Sequence, residues 1–492
     1  MTKNSTSKSK ESNQGVSRRK FLASGAAAAT AFSIVPGYAV GANDQTPPSG
    51  KLNIAGIGVG GMGNGNLRSC RGENIVALCD VDSKYAGKVF NAYPKAARYD
   101  DYRVMLEKQK DIDAVIIATP DHTHAVITMA AMQAGKHVFC QKPLTHTVVE
   151  ARRITEYARA NPKIMTQMGN QGHSSEQIRM VREWIQSGSI GDVREVHAWT
   201  DRPDKGPWYA NFAARDLPKS FPPVPDTLNW DLWLGPATDR KYSPAYHPFK
   251  WRAWLDFGTG ALGDMGCHIL DPACWALDLM NPTSITAEVK HHKPELKGKA
   301  FPIAAKVTYE FPERSNKTYE KGLAAIKEKY GKIPEKMIAA LKLCPVKLVW
   351  YDGDFQVPRP EMLEDGRKLS ASGAVIFGEK ETIIHGSHGA GGARIIPEVR
   401  MKNFNPPEKT IPRVSGGHEG DWIRACKDGK PASSNFADYG GQLTEMVLLG
   451  VAAQRVPGEK LKWDAKKLEF DNQEANEFIH TPYRKGWSLG RA

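Results

Sequence analysis

A glycine-rich segment that follows a short apolar run constrains the fold of this chain more than any other feature. The apolar run is residues 52–57, and the segment after it, Gly58-Val59-Gly60-Gly61-Met62-Gly63, has the pattern G-x-G-x-x-G. Gly58 permits a tight strand-to-helix turn, Gly60 allows the backbone to approach a pyrophosphate, and Gly63 allows close helix–strand packing. The helix N-terminus then presents N–H groups to the phosphates. A second register, from Gly56 to Gly61, also fits but would shorten the strand.

An acidic residue at the end of the next apolar run strengthens the prediction of a dinucleotide site. Residues 75–79 read as a second strand, and Asp80 follows the glycines by about 20 residues, where a carboxylate accepts the ribose hydroxyls. Because Asp80 would repel a 2′-phosphate, NAD is favoured over NADP, although Lys84 lies close enough in sequence to weaken that preference.

Two more apolar runs complete an alternation of strands and helices. Residues 114–119 and 137–140 have strand length, and helical patterns separate the runs. Such alternation predicts a parallel sheet. The expected fold class is therefore α/β, with an N-terminal doubly wound Rossmann domain.

The N-terminus reads as an export signal. Arg18-Arg19 precede Phe21-Leu22 and a weakly apolar stretch that ends in small residues near Ala39 and Ala42. This order is typical of a twin-arginine signal peptide. It predicts a periplasmic or otherwise exported protein that uses the twin-arginine export machinery, and an uncleaved anchor is the alternative. The seven cysteines include no C-x-x-C pair, which favours buried free thiols over a disulfide framework or a zinc site.

Composition argues against several classes of partner. The 492 residues carry a formal charge of +13, but the six basic residues and one acidic residue of positions 1–42 account for five of these charges. The remaining surplus is dispersed, so no nucleic-acid site is predicted. No apolar run of about 18 residues recurs, so no membrane span is expected in the mature form. The scattered histidines form no spaced ligand set, so no metal site is predicted; these are His122, His124, His385, His388 and His418.

Three further motifs carry a resemblance to a known family. They are Thr119-Pro120-Asp121-His122-Thr123-His124, Gln141-Lys142-Pro143 and Gly263-Asp264-Met265-Gly266-Cys267-His268. With them the chain resembles the Gfo/Idh/MocA oxidoreductases, which include glucose–fructose oxidoreductase and inositol dehydrogenase, and most closely their exported, sugar-related branch. The resemblance extends over most of residues 50–490.

The resemblance implies a nucleotide-binding domain followed by an α/β domain with an open, mainly antiparallel sheet, with the nicotinamide between them and homo-oligomers formed by paired sheets. It implies Lys142, Asp264 and His268 as catalytic residues. It also implies cofactor contacts, beyond the glycine-rich segment (Gly58, Gly60, Gly61, Met62, Gly63) and Asp80, from Thr119, Pro120, His122, His124, Gln141 and Lys142. Gln141 departs from the usual glutamate of the family, since glutamine keeps the shape and loses the charge.

Domain limits follow from these motifs and from changes in composition. The predicted parts are a signal peptide (1–42), a linker (43–50), the NAD-binding domain (51–165), a substrate and oligomerisation domain (166–470) with a helical insertion (313–345), and a C-terminal arm (471–492). The insertion is either a cap over the active site or a peripheral decoration or subunit contact.

The residue types fit the oxidation of a secondary alcohol. Hydride transfer needs a base for the hydroxyl proton and a cation near the developing alkoxide. His268 can take the proton near neutral pH, and Asp264, one helical turn earlier, can orient the ring or bind a hydroxyl. Lys142 is the alternative base, and a purely structural core histidine is the competing interpretation of His268.

Substrate contacts are predicted from two places in the chain. Residues 200–257 are rich in aromatic side chains, which either stack on sugar rings or close a core. Arg252 and Trp254 of this stretch, with Asn170 and His173 after the strand at 164–168, are the predicted substrate-binding residues.

Three functions compete on these grounds. The leading hypothesis is an exported NAD-dependent oxidoreductase that acts on a ring hydroxyl of a sugar, polyol or glycoside with a tightly held cofactor. The second is a glycosidase or lyase in which transient oxidation at C3 allows elimination. The third is a non-catalytic binding protein, to which only Gln141 points.

Overall fold

The computed structural model describes residues 50–203, 212–315 and 342–490. The predicted signal peptide, the linker up to residue 49 and residues 316–341 of the predicted insertion lie outside these ranges, as do Trp208 and Tyr209. The described residues form a parallel sheet, a larger mixed sheet and a two-stranded sheet.

The parallel sheet is built from the predicted apolar runs. Its strands are β1 (Asn53–Ile57), β2 (Asn74–Cys79), β3 (Ala97–Tyr99), β4 (Ala114–Ile117), β5 (His137–Cys140) and β6 (Thr166–Met168). They lie in the order β3-β2-β1-β4-β5-β6, which is the doubly wound order. β4 is buried along its whole length, because helices cover both faces of such a sheet. The Rossmann prediction is confirmed.

Helices connect these strands and place the turns that carry the sequence motifs at the sheet edge. They are α1 (Met62–Ser69), α2 (Gly87–Ala92), α3 (Tyr102–Lys108), α4 (Asp121–Gln133) and α5 (Val148–Ala160). α5 begins with a capping box, in which the Thr147 hydroxyl accepts from the Glu150 N–H and the Glu150 carboxylate accepts from the Thr147 N–H. α4 begins directly after Pro120, so its first turn lies at the carboxyl end of β4.

The mixed sheet forms the second domain. Its strands are β7 (Val193–Thr200), β8 (Ser284–Lys290), β9 (Ala304–Phe311), β12 (Val346–Tyr351), β13 (Ser372–Gly378), β14 (Thr382–Gly386), β15 (Arg394–Ile396), β16 (Lys460–Asp464) and β17 (Glu469–Phe470); β10 (Arg314–Ser315) and β11 (Lys342–Leu343) form the two-stranded sheet. The order is β15-β14-β13-β7-β12-β9-β8-β16-β17, with only β7 and β12 parallel. Leu348 pairs with both Val196 and Tyr309, and all three are fully buried. The predicted open, mainly antiparallel sheet is confirmed.

The helices of the second domain pack on this sheet and reach the first domain. They are α6 (Glu176–Gln186), α7 (Trp230–Leu234), α8 (Gly260–Ile269), α9 (Asp271–Leu277), α10 (Glu398–Asn403), α11 (Gly417–Asp428), α12 (Gly441–Ala453) and α13 (Gln473–Asn476). Every residue of α8 is buried, so its polar side chains are fixed inside the protein.

The predicted boundary at residue 165 divides the chain too early. β6 pairs with β5 in the parallel sheet as far as Met168. Late in the chain, Trp422 of α11 is fully buried in the same apolar cluster as Ile116 and Phe139 of that sheet. The Rossmann domain therefore extends beyond β5 and is completed by a helix from the predicted substrate domain.

The cysteines agree with the prediction of free thiols in place of a disulfide framework. All seven cysteines are free, and five of them are buried. Within the described ranges, no helix combines the length and the apolar character that crossing a bilayer requires.

Candidate active site

A cavity of about 780 Å³ opens at the carboxyl ends of the parallel strands, the edge at which open α/β sheets bind ligands. Both domains contribute to its wall. The predicted site residues that line it are Gly58, Gly60, Gly61, Met62, Asp80, Thr119, Pro120, His124, Gln141, Lys142, Arg252, Asp264 and His268. Five others, Gly63, His122, Asn170, His173 and Trp254, do not line it.

The glycine-rich turn has the geometry that its sequence predicts. Gly58 has a φ of 76°, in the left-handed region that favours glycine. A Cβ on Gly58 would lie 2.7 Å from the Thr119 nitrogen, and one on Gly63 would overlap the carbonyl oxygen of Gly58. Gly63 thus allows α1 to pack on the turn without itself facing the cavity.

Tyr85 covers one side of this turn, which the sequence analysis missed. Its ring occupies the space that a Cβ on Gly60 would fill, and the same ring lines the cavity. Gly60 is therefore needed to accommodate Tyr85 as well as to expose its backbone.

Asp80 anchors the turn to the end of β2. One carboxylate oxygen accepts from the N–H groups of Val59 (2.8 Å) and Gly60 (3.1 Å), and the other accepts from the N–H of Asp82 (3.0 Å). Burial raises the pKa of Asp80 although these three N–H groups oppose the shift. Asp80 lines the cavity where a ribose acceptor is expected, whereas Lys84 does not line it.

Gln141 takes part in a buried chain of amides. Its Nε2 donates to Asn66 Oδ1 at 3.0 Å, and Asn66 Nδ2 donates to Glu419 of α11 at 2.7 Å. Because the amide nitrogen of Asn66 is committed to a carboxylate, Asn66 offers an acceptor to residue 141. A glutamine can donate there, whereas an ionised glutamate can only accept.

The two histidines of the segment 119–124 bind backbone carbonyls, and only His124 lines the cavity. His122 is buried outside the cavity, with ring nitrogens 3.0 Å from Trp233 O and 3.3 Å from Phe257 O. Burial lowers its pKa to about 3. His124 lines the cavity, but both of its ring nitrogens lie 2.8 Å from carbonyl oxygens, those of Pro143 and Thr119. It joins the turns after β4 and β5.

Lys142 and Asp264 form an ion pair across the cavity. Lys142 Nζ donates to Asp264 Oδ1 at 2.9 Å and to the Asp264 carbonyl oxygen at 2.7 Å. Arg202 donates to the other oxygen of this carboxylate, and Arg252 Nε lies 3.6 Å from Oδ1. Burial alone would raise the pKa of Asp264, but these three cations outweigh it and hold the pKa well below its usual range. Arg202 was not predicted.

Two imidazoles stack beside this ion pair. The rings of His268 and His388 have centroids 4.1 Å apart and planes 28° apart. Burial, together with the charge of Lys142, lowers the pKa of His268 well below 6.5, and the same causes lower that of His388. Both histidines line the cavity and are neutral near pH 7. His388, on the glycine-rich loop after β14, was not predicted to belong to the site.

Three predicted substrate residues lie outside the cavity wall and contact other parts of the protein. His173 is fully buried, its Nδ1 lies 2.8 Å from Asp271, and its ring stacks on Tyr439. Asn170 donates to the same carboxylate at 3.1 Å. Trp254 donates to the Ala245 carbonyl and packs in an aromatic cluster. Local sequence does not reveal the partner of His173 and Asn170, because Asp271 lies about 100 residues further along the chain.

The C-terminal arm reaches the cavity, which the sequence analysis also missed. Arg484 donates to the Gly235 carbonyl and to Asp231, both at 2.6 Å. The ring of Trp487, which lines the cavity, lies 4.7 Å from the Arg103 guanidinium and 6.4 Å from the Tyr102 ring. Tyr102 follows β3, so Trp487 lies at the adenosine end of the predicted cofactor site.

These features fit a dinucleotide. The glycine-rich turn leaves space that side chains would fill, and the N-terminal residues of α1 supply N–H groups for phosphates. Asp80 supplies a hydrogen-bond acceptor in the wall of the same cavity. Lys142, Asp264 and His268 lie on the wall of the same cavity.

Comparison with family models gives a consistent result over both domains. A model described as "Oxidoreductase family, NAD-binding Rossmann fold" matches residues 52–169, and one described as "Oxidoreductase family, C-terminal alpha/beta domain" matches residues 176–326. The first match ends after β6, as the sheet pairing requires.

Curated relatives and solved structures are similar in the same regions. Inositol 2-dehydrogenase of Salmonella typhimurium is 34% identical over 152 residues, which cover 30% of this chain and 44% of that enzyme. Inositol 2-dehydrogenase of Pseudomonas syringae is 30% identical over 247 residues, 48% of this chain and 67% of that enzyme. The chain thus spans less than half the length of the first of these relatives. The crystal structure of the WlbA dehydrogenase from Bordetella pertussis with NADH and UDP-GlcNAcA matches with a TM-score of 0.55 at 14% identity, over 84% of this chain and 99% of that one, and shows the shared fold.

The substitution Gly63→Ala is expected to weaken NAD binding at least about 10-fold, because the added methyl group would push α1 away from the turn that holds the phosphates. Gly65→Ala is the matched control on the same helix, since its Cβ would lie 4.0 Å from the nearest atom, the flexible Met62 sulfur. Fluorescence titration with NAD measures both. Equal affinities for the two variants would contradict the assigned role of Gly63.

The substitution Trp487→Ala is expected to raise the NAD dissociation constant about 5-fold, since the loss of one aromatic contact costs about 1 kcal/mol. Trp487→Phe, which keeps an aromatic ring, should restore most of the affinity. Calorimetric titration with NAD gives the three constants. An unchanged constant for Trp487→Ala would show that the arm does not contact the nucleotide.

Proposed function

Because the chain belongs to the Gfo/Idh/MocA oxidoreductase family, both of whose domains it matches, we propose that it oxidises or reduces a ring hydroxyl of a sugar, polyol or glycoside with a tightly held NAD. The observation that carries the proposal is the cluster of Lys142, Asp264 and His268 in the wall of the cavity that also contains the glycine-rich turn. The carbohydrate class is supported by the relatives, which are named as inositol dehydrogenases and as a dehydrogenase bound to a nucleotide sugar.

NAD, when bound, would accept the hydride from the carbinol carbon of the substrate. His268 would take the hydroxyl proton, because its ring is held neutral and already lies in the cavity wall. Lys142, fixed by two hydrogen bonds to Asp264, would stabilise the developing alkoxide through its remaining N–H. Asp264 would keep the ammonium group in place as its ionised partner.

The glycosidase or lyase reaction is the second candidate, and His388 is the observation that favours it. Elimination after oxidation at C3 requires a second base for the C2 proton, and the stacked pair places two neutral imidazoles side by side. Purified protein challenged with glycosides discriminates the two candidates: net cofactor reduction with a keto product supports the dehydrogenase, and aglycone release without net reduction supports the second candidate.

We also propose export, on the basis of the twin-arginine pattern of residues 17–22. Replacing both Arg18 and Arg19 with Lys should retain the protein in the cytoplasm, because the export machinery reads the paired guanidinium groups. Cell fractionation measures the distribution, with a variant altered only at Lys8 as the control. Equal export of the double variant would overturn this proposal and leave the proposed activity untouched.

The substitution His268→Asn is expected to lower kcat for alcohol oxidation by about 100-fold or more, since general-base catalysis is removed, while NAD affinity stays near the wild-type value. His480→Asn, at an exposed position, is the matched control. Steady-state kinetics and NAD titration are measured together. Unchanged turnover in His268→Asn would refute the assignment.

The pH dependence follows from the depressed pKa of His268. Burial lowers the pKa of this imidazole, so the ring stays neutral at pH values below its ordinary pKa of 6.5. The rate of oxidation should therefore be unchanged at pH 6.5 and should decline only at lower pH, where the base becomes protonated. The pH profile of kcat/KM measures this. An acid limb centred above pH 6.5 would contradict it.

A further inference from the structure

Resting on the proposed function, we infer that the substrate carries a carboxylate, and that Arg252, together with Arg202, binds it. The substrate class is then an acidic sugar of the uronate or aldonate type. The argument depends on how the cations of the cavity are neutralised and on how Arg252 is held.

Three cations of the cavity wall, Lys142, Arg202 and Arg252, surround the Asp264 carboxylate. Lys142 and Arg202 bind the two oxygens of Asp264 through hydrogen bonds. Arg252 lies 3.6 Å from the same group, beyond hydrogen-bond distance, and its buried Nε has no hydrogen-bond partner among the described residues. Both oxygens of Asp264 therefore already accept hydrogen bonds from other cations, and Arg252 is the least well paired of the three.

A second carboxylate, that of Asp121, does not neutralise the remaining positive charge of the cavity wall. Asp121 lies on the cavity wall and accepts from the Thr259 hydroxyl at 2.7 Å, and burial raises its pKa to about 6. Of the aspartates in the described wall, Asp264 and Asp121 are the two on which these cations act, so three cations face two carboxylates even when Asp121 is ionised. A singly charged anion would cancel the surplus, whereas a phosphate monoester would bring nearly two charges.

Arg252 is fixed in a form suited to a planar anion. Its guanidinium group lies 4.1 Å from the ring centroids of both Phe249 and Trp251, and one of its nitrogens donates to the Phe249 carbonyl at 3.4 Å. The ring centroid of Phe212 lies 5.8 Å from the guanidinium carbon of Arg252 and 5.1 Å from that of Arg202. Aromatic surroundings reduce hydration of a guanidinium group without satisfying its donors, and its planar fork matches a carboxylate in two-point binding.

The test compares matched substrates on the NAD-loaded protein. Glucuronate and its methyl glycoside are paired with glucose and methyl glucoside, and glucose-6-phosphate is added as a second anion. Calorimetry gives binding, and cofactor absorbance gives kcat/KM. The carboxylate member of a pair should bind about 10- to 100-fold more tightly and show a corresponding gain in kcat/KM, because a hydrogen-bonded charge pair contributes that much.

A variant comparison assigns the effect to Arg252. Arg252→Gln should collapse the ratio of uronate to neutral-sugar affinity, and Arg252→Lys should retain part of it because it keeps the charge and loses the fork. Arg240→Gln is the matched control, since Arg240 also lies over aromatic rings and pairs with Asp256 but does not line the cavity. Its ratio should match the wild type.

Each outcome bears on one claim. Neutral sugars bound or oxidised as well as uronates would overturn the inference and leave the proposed oxidoreductase in place. Preference for the sugar phosphate would overturn the carboxylate assignment. Failure to bind NAD would overturn the proposed function, while the binding ratio measured without cofactor would still decide between acidic and neutral sugars.

Discussion

The ion pair between Lys142 and Asp264 joins the two domains in the wall of the cavity. Lys142 follows β5 of the parallel sheet, and Asp264 lies on α8, a helix that is buried throughout. Their side chains are only 13% and 10% exposed, so the cost of removing both charges from water offsets much of their attraction. The value of the pair is positional: two of the three Lys142 N–H groups are committed, and the direction of the third is thereby fixed.

The electrostatics of this part of the cavity follow from that pair. Cations around Asp264 keep its carboxylate ionised, and burial with the same positive charge keeps His268 and His388 neutral. An uncharged imidazole beside an ammonium group is the protonation state that accepting a hydroxyl proton requires. A substrate anion near Arg252 would reduce the positive field on the imidazoles, so substrate binding and proton acceptance are coupled through the charges of the same few residues.

The sequence predicts best where a short stretch determines its own geometry. Gly58, Gly63 and Asp80 act through neighbouring backbone, and a parallel sheet exposes its strand ends at one edge, so both the fold and the candidate catalytic residues were predictable. The burial of His122 and His173 was not predictable, because it depends on partners from the aromatic stretch and from α9, which no local pattern reveals. Arg202, His388 and Trp487 reach the cavity from loops without a motif, and only the folded chain brings them there.

The contacts of Gln141 show how a distant element determines the role of a residue in a short motif. Its amide donates to Asn66, whose own amide nitrogen is held by Glu419 of α11. The same helix buries Trp422 against the parallel sheet, so α11 is fixed in position by packing as well as by hydrogen bonding. A glutamate at 141 would face an acceptor and would have to draw the Asn66 amide away from Glu419. Gln141 is thus explained by its surroundings, and it no longer favours a protein that has lost its chemistry.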